Sequence, residues 1–262
     1  MAVIATAGLS GDIAFAAATA SDTASNYSGG GWGTTPPNDG SGFGAWNISL
    51  ANASSPPYVG TFLDSGSAVV IGGKSWGMYA NGSPGNGSIT VTRPFTSGIS
   101  GSSSLYNQTF SFDLSSGGVG PSQGLLTALI GNAFSFSYNG AGSDNFLLSV
   151  DGGTAVSTPV NYSELNAGLI ISLAVSGPLS STSEAYTLTV SPFAGGGSIY
   201  STSGTFDSVS FNTASFSLTD ANTTGNSYLN GLIITPEVAP EPSSLALAGL
   251  GGAALLARFR RR

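Results

Sequence analysis

Two short stretches constrain this chain more than anything else in it. Gln108 to Leu114 reads QTFSFDL and Ala133 to Tyr138 reads AFSFSY, with a large apolar side chain at every second position. Successive side chains of a β-strand point to opposite faces, so Phe110, Phe112 and Leu114 share one face and Thr109, Ser111 and Asp113 the other. Phe134, Phe136 and Tyr138 repeat the device. A helix would scatter these rings around its circumference. The alternation therefore specifies strands with one buried and one polar face.

Comparable runs recur between Asn-Gly, Asp-Gly, Ser-Gly and Gly-Pro pairs, the residues that supply positive φ in tight turns. The spacing predicts strands over 58–63, 68–71, 76–80, 88–94, 108–114, 133–138, 145–150, 155–156, 169–175, 186–190, 204–211, 214–218 and 228–234. No amphipathic helix interrupts them. Residues 21–57 read instead as a compact irregular segment in which Tyr27, Trp32, Phe43 and Trp46 sit among Gly, Asn and Pro. Disorder is excluded for the body, because 40% of residues are hydrophobic and 14 Phe, 9 Tyr and 3 Trp supply a core. The expected fold is all-β: a single jelly-roll-like β-sandwich of about a dozen strands over residues 21–236. Edge strands are commonly blunted by Lys, and this chain has one, so its edges must be covered by loops or left for association.

Charge separates the body from the tail. Through Ala257 only Lys74 and Arg93 stand against 13 acidic residues, a net −11, and four arginines follow in the last five residues. A body of that sign repels phosphate backbones, which excludes nucleic acid as a partner. The chain has neither Cys nor His. Thiol nucleophiles, His-based triads, disulfides and thiolate or imidazole zinc sites are thereby excluded.

Residues 1–20 are small and apolar and read either as a signal-peptide remnant, with Ala14-Phe15-Ala16 and Ala18-Thr19-Ala20 as small-x-small cleavage sites, or as a first strand over 13–17. Residues 237–262 have a different character. Pro240-Glu241-Pro242 precedes Ser243-Ser244, an apolar segment from Leu245 to Ala257, and the cluster Arg258, Arg260, Arg261, Arg262. As a short C-terminal hydrophobic helix the segment spans about 20 Å, less than the roughly 30 Å hydrocarbon core, with arginines favouring the cytoplasmic side.

This order of parts closely resembles the PEP-CTERM sorting domain. The resemblance implies an exported protein of a polysaccharide-producing bacterium, tethered transiently in the inner membrane. It also implies recognition and cleavage by exosortase, a membrane cysteine transpeptidase, at Pro240, Glu241 and Pro242, with Arg258, Arg260, Arg261 and Arg262 as the cytoplasmic anchor. The stretch from Ser21 to Trp46 resembles the opening of extracellular jelly-roll domains with a D-x-A-x-x-Y, G-W, G-x-G-F-G-x-W pattern, carried by Asp22, Ala24, Tyr27, Gly31, Trp32, Gly42, Phe43, Gly44 and Trp46. Asp144 to Gly153 and the closing NGLIIT resemble concanavalin-A-like and laminin-G-like sandwiches. These likenesses imply a fold and no activity.

Three chemistries remain for the body. Glu164 and Glu184 are its only glutamates up to Thr235, in no shared motif, while most aspartates stand beside Gly, Ser or Asn as turn residues. The expectation is no enzyme and no required cofactor. Asp144, Asn145 and Asp151 offer hard oxygen ligands for calcium. Trp32, Trp46, Trp76 and Tyr79 are candidates for stacking on a pyranose, although such rings more often belong to a core. The leading expectation is a non-enzymatic protein of the cell surface or extracellular polysaccharide matrix. A carbohydrate-binding module is the alternative, and a divergent glycan-active enzyme the third.

Overall fold

The computed structural model describes residues 20–28, 32, 39–51, 59–81, 87–95, 106–119, 124–131, 133–140, 144–177, 184–207, 213–219 and 225–237. The apolar start before Ala20, Pro240-Glu241-Pro242, the segment from Leu245 to Ala257 and the terminal arginines lie outside them. Among the described residues, fifteen strands, numbered in chain order, form two antiparallel sheets.

The first sheet runs β13 (Tyr200–Phe206), β12 (Glu184–Pro192), β11 (Leu169–Gly177), β6 (Tyr106–Gly117), β15 (Asn226–Glu237), β4 (Ser75–Ala80) and β3 (Val59–Asp64). Its eighth strand, β1 (Ala20–Asp22), pairs with β15 at Leu232 to Ile234, beyond the stretch that pairs with β4. The second sheet runs β10 (Val156–Asn161), β9 (Asn145–Val150), β8 (Phe134–Asn139), β7 (Leu125–Ile130), β14 (Thr213–Thr219), β5 (Ser88–Pro94) and β2 (Asn47–Ala51).

The alternation places the core where expected. Phe110, Phe112 and Leu114 of β6 and Phe134, Phe136 and Tyr138 of β8 are all buried in one cluster between the sheets. Across the interface Phe112 meets Phe216 of β14 at 5.0 Å between ring centroids, and Phe134 meets Phe206 of β13 at 4.8 Å. Each such ring contributes about 1.5–3 kcal/mol of apolar burial, and edge-to-face packing adds about 0.5–1.5 kcal/mol. The result is the expected jelly-roll-like β-sandwich.

Four local expectations need correction, and the first is that residues 21–57 are irregular throughout, since they contribute β2 at Asn47–Ala51 to the second sheet. Residues 68–71 form no strand; the stretch from Ser65 to Lys74 folds as turns, tied by an Ile71–Lys74 bridge, with Val69 buried. A strand appears instead at Leu125–Ile130, where Leu125 and Leu129 remain 39% and 36% exposed and mask the alternation. Finally, a six-residue helix, α1 (Tyr162–Ala167), joins β10 to β11. Its signal is a capping box: Asn161 Oδ1 accepts from Ser163 N at 2.9 Å, and Glu164 Oε2 accepts from Asn161 N at 2.6 Å. Asn161→Ala is expected to cost about 1 kcal/mol, measured as a lower urea midpoint at unchanged slope.

Candidate functional site

The segment from Ala20 to Trp46 carries most of the residues singled out in the sequence, and the structure makes it an anchor. Asp22, on β1 of the first sheet, receives Nη2 of Arg93 from β5 of the second at 2.7 Å; both side chains are fully buried. Tyr27 Oη donates to the same carboxylate oxygen at 2.7 Å, and Asn26 Nδ2 to the other at 3.0 Å. Trp46 Nε1 donates to Tyr27 Oη at 3.0 Å, and the Arg93 guanidinium stands 5.0 Å from the Trp46 ring and 5.6 Å from the Phe43 ring. Burial pushes the Asp22 carboxyl up, and the hydrogen bonds from Tyr27 and Asn26 and the Arg93 charge oppose it. Lys74 donates to the Tyr27 carbonyl, so both cations of the body hold this segment. The D-x-A-x-x-Y and G-x-G-F-G-x-W pattern is thus an intersheet clasp.

The tryptophans close that clasp and present no face for a sugar. Trp32 and Trp76 are 0% exposed and Trp46 5%; Trp32 stacks on Trp76 at 5.9 Å, and Trp46 meets both edge-on. They come together as core. Tyr79 is different. It alternates with the inward Trp76, Met78 and Ala80 of β4, so it lies half-buried on the outer face of the first sheet.

The calcium candidates do not assemble. Asp144 and Asn145 stand at one end of β9 and Asp151 at the other, about 20 Å apart at strand spacing. Asp151 sits at φ 54 with Gly152 at φ 66, a hairpin turn closed by Gly153 N donating to Val150 O. Its Oδ2 accepts from Asp207 N at 2.9 Å. Among the described residues no group of three or more acidic side chains could hold a metal ion. The two glutamates are similarly parted. Glu164 caps α1 beside the start of β11, whereas Glu184 opens β12 beside the end of β11, about 25 Å away. A glycosidase requires its carboxyls within 10 Å or so. Both carboxyl oxygens of Glu184 are buried without a partner among the described residues, and burial raises its pKa.

The outer face of β3, β4 and β15 gathers three rings that only register brings together. Phe62 stands opposite Gly77, Gly77 opposite Tyr228, and Tyr228 opposite Ser115 of β6; in the adjacent line Gly60 faces Tyr79 and Tyr79 faces Asn226. The rings lie across the sheet. A Cβ on Gly77 would sit 2.5 Å from Phe62, one on Gly60 2.6 Å from the Tyr79 hydroxyl, and one on Gly117 would collide with Tyr228. Phe62 meets Tyr79 at 6.0 Å and Tyr228 at 5.8 Å, and all three remain half-buried. Of these, only Tyr79 was legible as a candidate.

Beside the rings, β6 carries a hydroxyl without a hydrogen-bond partner among the described residues, and a buried carboxyl. Ser115 Oγ is buried and unpaired. Asp113, 6% exposed, lies opposite Asn230, against Gly231 at a β15 bulge where φ is 55 and near Ile71 of the covering turn. Burial alone pushes its pKa up to about 7.

Together these features define a β-sandwich with a buried aromatic clasp between its sheets and three half-buried rings on the outer face of the first. Among solved structures, the chain is similar to a lectin from Bauhinia forficata in complex with GalNAc, at 11% identity and TM-score 0.43, over 84% of this chain and 99% of that one. It is similar to a GH131 β-glucanase catalytic domain from Podospora anserina at 10% identity and TM-score 0.47, over 84% and 92%. A binding domain of botulinum neurotoxin DC in complex with SialylT matches at 9% identity and TM-score 0.43, over 73% of this chain and 42% of that one. No curated protein matches the chain. Residues 238–262 match the PEP-CTERM protein-sorting motif, and the chain carries that motif at its C-terminus.

Proposed function

We propose that this is an exported, non-enzymatic protein of the cell surface or the extracellular polysaccharide matrix, delivered there by exosortase. The observation that carries the reading is the sorting motif over 238–262, following directly on a β-sandwich that ends at Glu237. The apolar segment from Leu245 to Ala257 holds the precursor in the inner membrane, and four arginines oppose translocation of its end. Being short and containing Gly249, Gly251 and Gly252, it suits a temporary tether. No helix among the described residues is long and apolar enough to cross a membrane. The non-enzymatic reading is supported by the separation of Glu164 from Glu184. A second reading, carbohydrate binding, is favoured by the rings on the outer face of β3, β4 and β15.

The sorting reading predicts that Glu241→Ala, or deletion of Phe259 to Arg262, leaves the sandwich folded and accumulates unprocessed protein in the membrane fraction. Mass spectrometry of the wild-type C-terminus in envelope and medium checks it. A mature protein that retains Arg262 at its final location sinks the reading.

A further inference from the structure

We propose that the outer face of β3, β4 and β15 is a binding site for a neutral polysaccharide, with Phe62, Tyr79 and Tyr228 as its stacking surface and Ser115 and Asp113 as hydrogen-bonding groups along its inner border. The inference rests on the carbohydrate-binding reading and gives that reading a place and a ligand class.

The geometry begins with the glycines. A residue with a Cβ at position 60, 77 or 117 would lift the ring lying above it; glycine lets each ring settle across the neighbouring strand. A ring lying on the sheet keeps one face inward and turns the other toward solvent, which accords with the half-buried state of all three. Flat apolar faces suit the C–H faces of a pyranose, and they exclude water from the contact. The tyrosine hydroxyls and the Asn226 amide, whose Nδ2 donates to Tyr228 Oη at 3.4 Å, rim the rings with groups that both donate and accept.

The second observation is independent of the rings. Ser115 stands directly opposite Tyr228 on the same face, fully buried, with its hydroxyl unpaired. Asp113, two residues along β6 on the same face, is 6% exposed. Buried polar groups without partners are uncommon in folded proteins, and the Ser115 hydroxyl beside an aromatic surface marks a hydrogen bond left unmade. A sugar hydroxyl is a fitting partner, since it both donates to and accepts from a serine hydroxyl or a carboxyl group.

Charge selects the ligand class. The body carries −11 through Ala257, Lys74 is committed to the Tyr27 carbonyl, and Arg93 is fully buried against Asp22. With no cation at the face among the described residues, a uronate or sulfate polymer meets only repulsion. A neutral glycan does not.

The test is affinity electrophoresis of the full-length chain in gels containing a neutral β-glucan, a galactomannan or a polygalacturonate. Retardation by at least one neutral polymer and none by polygalacturonate is expected. Phe62→Ala and Tyr79→Ala should each weaken binding about tenfold or more, the scale of losing one aromatic anchor. Gly77→Val, which displaces Phe62 without removing it, should do the same. Unchanged tryptophan emission shows that each variant keeps the Trp32, Trp46 and Trp76 cluster. Retardation that survives all three substitutions overturns the site while leaving the carbohydrate-binding reading in place. Retardation by polygalacturonate alone overturns the ligand class, and retardation by none of the three overturns site and reading together.

Discussion

Replacing Arg93 with Met is expected to lower the stability of the sandwich by about 3–5 kcal/mol. Arg93 joins the sheets through Asp22, with both side chains fully buried. Removing the cation leaves the carboxylate in an apolar interior, held by Tyr27, Asn26 and the Thr23 backbone amide alone. The penalty for that orphaned charge exceeds the worth of the pair itself, because forming the pair already required both ions to leave water. The guanidinium also covers the Trp46 and Phe43 rings, and that contact is lost as well. For a domain of this size the melting temperature should fall by roughly 10 °C or more. Urea unfolding followed by tryptophan emission is a direct readout, since all three indoles belong to the clasp. Asp22→Leu combined with Arg93→Met should recover much of the loss. Additive losses in that cycle would mean that the pair contributes nothing as a pair.

What could be read from the sequence follows from which contacts are local. The strands β6 and β8 were legible because alternation is written into consecutive residues. Leu125–Ile130 was not, since leucines occupy outward as well as inward positions. The apolar run from Ala68 to Ile71 was misread because it closes over the outer face of a sheet as turns, with Asn230 Nδ2 donating to the Val69 and Lys74 carbonyls. That contact joins residues about 160 positions apart, and no pattern within the loop announces it. The same limit applied to the sites. Tryptophan in a glycine-rich segment suggested either core or platform, and only the pairing of Asp22 with Arg93 placed these indoles inside. Phe62 and Tyr228 lie far apart in the chain, and they meet because both stand opposite Gly77. Asp144, Asn145 and Asp151 are close in sequence, yet an extended strand carries them apart. Proximity along the chain misled there, and register decided the outcome.

The second large effect concerns pH, and its sign is the reverse of ordinary acid denaturation. Asp113 is pushed from 3.8 to about 7 by burial, with no charged or hydrogen-bonding group contributing. Register sets Ile170 of β11 and Asn230 of β15 against it, and Gly231 and Ile71 lie close by; no charged group contributes to the shift. The folded protein therefore holds the carboxyl neutral while the unfolded chain ionises it from about pH 4 upward. Between those values the unfolded state binds fewer protons, so stability falls as pH rises. About 1.36 kcal/mol per pH unit over this window amounts to about 4 kcal/mol, fully present below pH 4 and lost by pH 7 to 8. Asp22 and Glu184 are also raised by burial, so they act in the same direction. Relief of the −11 body charge at low pH adds to it. Urea midpoints measured from pH 4 to pH 8 should decline steadily, and Asp113→Asn should flatten much of the slope and stabilise the protein at pH 8. A midpoint that rises with pH, or an Asp113→Asn profile parallel to the wild type, would show that the carboxyl is ionised in the native sandwich, with water or a ligand supplying the partner the fold itself withholds.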